Sequence, residues 1–121
     1  MPTRAEMKRA YKEAPRPAGV YRIKNTANGR VFLGRAADLR GPLNRHRAQL
    51  EFGSHPNAEL QEDWRRFGAG AFVFEVVETL PDKREEGFDL EGELLLLAQV
   101  WAEREQPFGA RGYNVVKDFQ A

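Results

Sequence analysis

The sequence predicts an α+β domain in which a small antiparallel sheet begins with a β-hairpin and is flanked by helices. Two observations support this fold class. Residues 18–34 contain two short runs with apolar residues at alternate positions, joined by an Asn-Gly pair. Further along the chain, segments with helical spacing of apolar residues surround one more apolar run of strand length. Strands and helices mixed in this way, with a hairpin first, are typical of a sheet covered by helices.

The hairpin is the best-defined element of the sequence. Tyr21 and Ile23 alternate with polar neighbours in the first run, and Val31 and Leu33 do so in the second. Between the runs, Asn28-Gly29 is expected to supply the positive φ angles of a tight hairpin turn.

An N-terminal helical extension is predicted before the hairpin. Residues 3–14 contain helix-forming residues throughout, and Pro15 and Pro17 would end the helix. We therefore divide the chain into this extension, residues 1–16, and a domain that comprises residues 17–121.

Helices and one more strand are predicted after the hairpin. Their expected ranges are residues 43–51, 57–67 and 90–105 for helices, residues 72–77 for a strand, and residues 113–116 for a short extended piece at the sheet edge. Gly41-Pro42 marks the start of the first helix, and Asn57 is the candidate N-cap of the second.

Two apolar patterns predict which faces of these elements are buried. Phe72, Phe74 and Val76 are expected to share one face of the strand. The last helix carries apolar residues at helical spacing, which are expected to run through the centre of the core. They are Leu90, Leu94, Leu97 and Trp101.

Length and composition exclude several classes of protein. A chain of 121 residues is long enough for one core and too short for two. It has no apolar run long enough for a transmembrane helix and no pattern typical of a secretory signal, so we expect no membrane partner. The absence of cysteine excludes disulfides and thiolate metal sites in this sequence and fits a cytoplasmic location.

Charge is distributed unevenly along the sequence. Residues 1–50 hold 12 Lys or Arg against 3 Asp or Glu, whereas residues 51–121 hold 7 against 15. A cluster of cations is typical of a phosphate-binding surface. The alternative is that the two halves neutralise each other within the fold. The candidate nucleic-acid contacts are five closely spaced arginines, Arg30, Arg35, Arg40, Arg45 and Arg47.

The hairpin also resembles that of the GIY-YIG nuclease family. Gly19-Val20-Tyr21 stands in place of Gly-Ile-Tyr, and Phe32-Leu33-Gly34 stands in place of Tyr-Ile-Gly. The resemblance covers residues 17–116. Its later matching segments include Asp38-Leu39, Arg45-His46, the run Gly53-Ser54-His55-Pro56-Asn57, and Gly112-Tyr113-Asn114.

The resemblance implies a phosphodiesterase site of which three residues are kept. Tyr21 matches the first motif tyrosine, which could serve as a base or hydrogen-bond partner. His46 matches the histidine of the first helix, and Asn114 matches a supporting asparagine near the C-terminus. These three residues are the predicted remnant site.

Three other positions of the implied site are changed. Phe32 replaces the second motif tyrosine and lacks its hydroxyl, Pro42 stands where the family has an arginine, and Ala98 stands where it has a metal-binding glutamate. Glu91 lies on the same helical stripe as Ala98 but about 10.5 Å away along the axis. We therefore predict no metal site and no required cofactor, with Mg²⁺ or Mn²⁺ needed only if the protein is active.

Three functions remain open at this point. The first is a nucleic-acid-binding module, with DNA the favoured partner, whose phosphodiesterase activity is degenerate or very weak. The second is an active metal-dependent DNA endonuclease with a rearranged site, because a shift of register around Gly41-Pro42 would bring Arg40 or Arg45 into the arginine's role. The third is a protein-interaction adaptor that uses the acidic half. Sequence indicates neither the cellular process nor the oligomeric state.

Overall fold

The computed structural model describes residues 3–5, 16–81 and 85–121 of the chain. The strands of this part are β1 (Gly19–Asn25), β2 (Val31–Ala36) and β3 (Phe72–Thr79), and its longer helices are α1 (Pro42–Phe52), α2 (Ala58–Phe67) and α3 (Leu90–Glu105). Short 3₁₀ helices span Ala69–Ala71, Gly109–Arg111 and Val116–Phe119. The helix predicted at residues 3–14 lies for the most part outside the described residues.

The strands form one antiparallel sheet in the order β2-β1-β3. On one face, Ile23 packs with Leu50 of α1 and with Leu60 and Trp64 of α2. On the other face, Val20 belongs to a second cluster formed with α3. The predicted α+β architecture is therefore confirmed, with β1 as the central strand between two layers of helix.

The buried stripe of α3 differs from the predicted leucine stripe. Leu94, Ala98 and Ala102 are the buried residues of this helix, whereas Leu97 and Trp101 are only half-buried. Ala98 and Ala102 pack against Val20 and Leu33 of the sheet. Small side chains allow the helix backbone to lie close to the strands, which a pattern based on large apolar residues does not anticipate.

The hairpin forms where the sequence predicts it, but its turn is longer than expected. Residues 26–30 connect β1 to β2, and only Gly29 of the Asn-Gly pair has a positive φ, at 79°. The Asn28 side chain instead accepts a hydrogen bond from the Arg30 backbone N–H at 2.9 Å. The prediction that both residues of the pair adopt positive φ is therefore wrong.

Two further expectations for the sheet need correction. A register irregularity opposite Val20 and Tyr21 interrupts the alternation of β3, so that Val76 is 43% exposed while Val77 packs against the α3 cluster. The segment at residues 113–116, expected as an extended piece at the sheet edge, lies at that edge without forming a strand, and its last residue, Val116, begins a 3₁₀ helix. It borders β2 through the hydrogen bond from the Tyr113 N–H to the Val31 carbonyl, at 2.9 Å.

None of the helices in the described part of the chain has both the length and the apolar character needed to cross a membrane.

Candidate functional site

A pocket of about 690 Å³ opens beside β2, between α1 and the start of α3. Tyr21, His46 and Asn114 all line it, so the fold brings the three predicted site residues together from distant parts of the chain. Phe32 and Ala98, two of the three changed positions, line the same pocket.

The glycines of the two hairpin tripeptides position Tyr21. Gly34 is the cross-strand partner of Tyr21, and a Cβ built on Gly34 would overlap the tyrosine ring. A Cβ on Gly19 would overlap the backbone of Glu78 in β3. Both positions therefore require glycine because another group occupies the space that a side chain would fill.

A chain of hydrogen bonds extends from Tyr21 into the protein. The Tyr21 hydroxyl lies 2.8 Å from His46 Nε2, and His46 Nδ1 lies 2.8 Å from Nε2 of His55. The backbone N–H of Asn57 donates to His55 Nδ1 at 3.0 Å. Both histidines are largely buried, so these contacts are shielded from water.

The backbone donor at Asn57 fixes the direction of every hydrogen bond in this chain. Because His55 Nδ1 accepts, neutral His55 carries its proton on Nε2 and donates to His46 Nδ1. His46 then carries its proton on Nε2 and donates to the oxygen of Tyr21. The hydroxyl proton of Tyr21 is consequently left free to donate elsewhere.

Burial keeps these groups in their neutral forms. Desolvation lowers the pKa of His46 to about 4, with smaller contributions in the same direction from His55 and the positive charge of Arg45. Burial also lowers the pKa of His55. The same effect raises the pKa of Tyr21, partly opposed by Arg45.

The His46 pKa predicts a loss of stability in mildly acidic solution. The unfolded chain binds a proton near the ordinary value of 6.5, and the folded chain does so only near 4. Stability is therefore fully present above pH 6.5 and is lost as the pH falls toward 4. We expect the free energy of unfolding to drop by about 1–3 kcal/mol over this range, a value discounted for partial solvent screening.

Urea unfolding at pH 7 and pH 4.5 measures this drop, and His46→Gln is the control that should reduce it, with a remainder from His55, whose pKa burial also lowers. Carboxyl groups with lowered pKa values, Asp38 and Asp63, do not interfere because their contribution is lost only below about their ordinary value of 3.8. Equal stability of the unaltered protein at both pH values would contradict the assignment.

Asn114 holds the outer edge of β2. Its Oδ1 accepts from the Leu33 backbone N–H at 2.8 Å, and its Nδ2 donates to the Leu33 carbonyl at 2.9 Å and to Asp118 at 3.2 Å. The amide thus pairs with Leu33 as a neighbouring strand would. It supports the pocket wall that carries Phe32 and Gly34.

The three changed positions lie differently around the pocket. The Phe32 ring packs 5.3 Å from the His46 ring, centroid to centroid, and offers no hydroxyl there. Ala98 is 1% exposed and presents only a methyl group. Pro42 is buried in the first turn of α1 and is not among the residues that line the pocket.

The pocket offers few ligands to a divalent ion. Within residues 3–5, 16–81 and 85–121, no group of three or more histidine, aspartate or glutamate side chains is arranged to hold a metal. Glu91 lines the pocket from the first turn of α3, but the Asp118 carboxylate already accepts from Asn114 and from the Val115 N–H. Ala98 supplies no ligand.

Most of the five candidate arginines are engaged within the protein. Arg30 forms ion pairs with Glu59 and Asp63, and its guanidinium stacks on the Tyr113 ring. Contacts within the protein therefore neutralise much of its positive charge. Arg35 lines the pocket and donates to the Asp118 carbonyl at 2.8 Å.

The other three arginines lie on or before α1. Arg40 pairs with Asp38, and the Arg47 guanidinium lies 4.3 Å from the centre of the Phe74 ring. Arg45 is exposed, and its side chain has no hydrogen-bond or ion-pair partner among the described residues. Arg45 is therefore the least committed of the five, and it is not among the residues that line the pocket.

His55 is a site residue that the sequence analysis did not single out. Its neighbours Ser54 and Pro56 indicate only a turn, and nothing in local periodicity connects it to His46, nine residues earlier. The sequence feature that could have identified His55 is its position in one of the segments that carry the family resemblance.

Comparison with known proteins points to endonucleases. The chain is 34% identical over 68 residues to intron-associated endonuclease 1 of Enterobacteria phage T4, a match that covers 56% of this chain and 27% of that protein. The chain thus spans about a quarter of the length of this curated relative. No family model matches the sequence.

Solved structures similar to this chain are also of an endonuclease. The catalytic domain of homing endonuclease I-TevI shares 28% sequence identity with this chain, and its structure superposes with a TM-score of 0.65. The match covers 82% of this chain and 98% of that domain. A point mutant of the same catalytic domain, also 28% identical, gives a TM-score of 0.62 with 81% and 92% covered. The similarity therefore extends over most of the described residues and nearly all of the endonuclease domain.

Proposed function

Because the chain has a GIY-YIG nuclease-like fold, we propose that it is a nucleic-acid-binding domain whose partner is DNA and whose phosphodiesterase activity is degenerate or very weak. One observation carries the proposal. The pocket keeps Tyr21 with its two histidines and Asn114, yet Ala98, which also lines it, supplies no carboxylate at the position where the resemblance has one. A cytoplasmic location is part of the same proposal.

The chemistry of phosphodiester cleavage explains why these changes matter. Cleavage needs a base for the attacking water and positive charge that faces the developing charge on phosphate, which is usually supplied in part by a metal ion. Tyr21 retains its hydroxyl, but burial raises its pKa and keeps it protonated, so it is a hydrogen-bond donor and a poor base for the first task. Pro42 and Ala98 remove the side chains that the family resemblance assigns to the second, whereas phosphate binding requires only donors and a cation.

A second candidate function is a divalent-metal-dependent DNA endonuclease with a rearranged site. Glu91 favours it, because this carboxylate lines the same pocket as Tyr21. Only this second candidate function requires Mg²⁺ or Mn²⁺ as a cofactor. Cleavage assays with either ion distinguish it from the first, as argued in the Discussion.

DNA binding is expected to be weak, to show little sequence preference and to depend on salt. Phosphate contacts carry no base information, and each one releases condensed counterions. Affinity for a short duplex should fall by roughly one to two orders of magnitude between about 50 and 200 mM salt. Fluorescence anisotropy titrations with several unrelated duplexes measure both properties.

Absence of binding at low salt, or binding that salt does not change, would contradict the proposal. The remaining function would then be that of a protein-interaction adaptor, with the acidic residues 51–121 as the contact region. A sequence-dependent affinity would instead require base-edge contacts that the phosphate-binding proposal does not include.

A further inference from the structure

Phe52 is the most exposed aromatic residue in the described part of the chain. It is the last residue of α1 and is 88% exposed, whereas Phe67 and Phe88 are only 36% and 37% exposed. A phenylalanine ring this far out of the core contributes almost nothing to packing within the domain. It is therefore available as a contact for a ligand outside the pocket.

The end of α1 holds Phe52 in a defined place. Gly53 ends the helix with a positive φ of 81°, and its N–H donates to the Leu50 carbonyl at 3.2 Å. The Gln61 side chain of α2 donates to the same carbonyl at 3.0 Å, which ties this helix end to α2. The backbone that carries the ring is thus ordered before a ligand binds, and this lowers the entropic cost of stacking on the ring.

Two arginines of α2 lie at the same end of the two helices. Arg65 donates through Nη2 to the Gly53 carbonyl at 3.3 Å, so its guanidinium lies one residue away from Phe52. Arg66 follows it and stacks on the Phe67 ring, 5.2 Å from the ring centre. Both are exposed, and neither forms an ion pair with another described residue. A guanidinium has five N–H donors, so both arginines keep donors for a phosphate.

The carboxylates nearby do not neutralise these arginines. Asp63 pairs with Arg30, and Glu51 and Glu62 are exposed and form no ion pair within the ranges that the structure describes. Glu51 precedes Phe52 and points about 100° away from it around the α1 axis. An exposed aromatic face with free cations beside it is the combination that binds single-stranded nucleic acid, whereas a wholly apolar partner would leave the cations unused.

We propose that the Phe52 ring stacks on an unpaired base of single-stranded DNA while Arg65 and Arg66 contact the phosphates next to that base. Only an unpaired base can stack on this ring, because neighbouring base pairs cover both faces of a base inside a duplex. This inference rests on the proposed nucleic-acid binding and names a form of DNA that the domain binds outside the pocket. Two residues separate Phe52 from His55, which lines the pocket, so the chain between the two spans at most about 11 Å and one strand can contact both.

The test titrates the full chain into a labelled oligothymidylate, which forms no duplex, and follows fluorescence anisotropy. Phe52→Ala should weaken binding about tenfold, within the range for the loss of one stacked base, and should change binding to a duplex less than twofold. Phe52→Leu should weaken it nearly as much, because leucine is apolar but has no aromatic face, and Phe52→Trp should preserve it. Phe88→Ala is the matched control, since this exposed ring lies between Glu86 and Asp89 and its loss should change affinity less than twofold.

Salt dependence separates the ring from the arginines. Phe52→Ala should leave the slope of log affinity against log salt unchanged, whereas Arg65→Gln should reduce it by about 0.7, the value for one phosphate contact on a single strand. Arg104→Gln, in the last turn of α3, is the matched charge control and should leave the slope unchanged. Because Phe52 and Arg65 are exposed, their substitution leaves the core intact, and thermal melts check that every variant folds.

Three outcomes would overturn the inference while the proposed function stands. The first is an unaltered protein that binds the duplex but not the oligothymidylate. The second is an effect of Phe52→Ala no larger than that of Phe88→Ala, in which case the exposed ring would be a contact for a protein partner. The third is full affinity of Phe52→Leu, which would show an apolar contact in place of stacking. Failure of the unaltered protein to bind either DNA at low salt would overturn the proposed function itself, so the two failures are distinguishable.

Discussion

Asn114→Ala is expected to lower the free energy of unfolding by about 2–5 kcal/mol, since it leaves two buried backbone groups without partners. Those groups are the N–H and the carbonyl of Leu33, which the Asn114 amide satisfies at 2.8 and 2.9 Å. Asn114 is 5% exposed and Leu33 is 2% exposed, so water does not replace the lost bonds in the folded state. The loss is large compared with the total stability of a typical domain.

Urea unfolding at pH 7 measures this effect, and Asn28→Ala is its matched control. The Asn28 side chain makes hydrogen bonds to the Arg30 N–H and to Asp63, but it lies in an exposed turn. Its removal should cost about 1 kcal/mol or less, because water satisfies the groups that it leaves. A loss for Asn114→Ala no greater than that for Asn28→Ala would contradict the structural role of Asn114.

The hairpin could be predicted from sequence because local constraints determine it. Alternation of apolar residues predicts strands wherever one face is buried, and β1 and β2 follow that rule. The two tripeptides are distinctive for a related reason. Gly19 lies against the Glu78 backbone and Gly34 against the Tyr21 ring, so no other residue fits either position.

The site could be predicted only in part, because most of its contacts are non-local. Tyr21, His46 and Asn114 were placed by resemblance, and the structure brings them around one pocket. The link from His46 to His55 depends on how the turn before α2 folds back onto α1, which no periodic pattern records.

Which arginines of the basic half form ion pairs within the protein could likewise not be predicted from the distribution of charge along the sequence. Arg30 is neutralised by Glu59 and Asp63, which come from the acidic half of the chain. The pairing supports, for this residue, the alternative that the two halves complement each other inside the fold. Arg45 differs because no acidic side chain in the described residues reaches it.

The largest expected functional effect concerns cleavage. The unaltered protein should show at most trace cleavage of plasmid or oligonucleotide DNA with Mg²⁺ or Mn²⁺, because Pro42 and Ala98 lack the cation and the carboxylate that the family resemblance assigns to those positions. Robust cleavage by the unaltered protein that Tyr21→Phe abolishes would contradict this prediction. It would favour the second candidate, with Glu91 and Arg45 or Arg40 in the missing roles.

Restoring the three changed side chains should raise metal-dependent cleavage. The combined variant carries Phe32→Tyr, Pro42→Arg and Ala98→Glu, and we expect its rate to exceed that of the unaltered protein by about two orders of magnitude or more, since members of a catalytic unit act together. Ala98 lines the pocket, so a glutamate there is close to it, whereas an arginine at position 42 must reach the pocket from the first turn of α1. Proline is favoured but not required in a first turn. However, Pro42 is buried and Ala98 is 1% exposed, so charged side chains there should lower stability, and thermal melts check that the combined variant folds.

Plasmid nicking with Mg²⁺ and with Mn²⁺ measures this gain, with EDTA as the blank. Tyr21→Phe added to the combined variant is the decisive control, because the hydroxyl should then be essential. Ala98→Glu alone should add little, since the positive charge would still be missing from its family position. Cleavage by the combined variant that survives Tyr21→Phe would show that the nicking does not arise in this pocket and would contradict the assigned role of Tyr21.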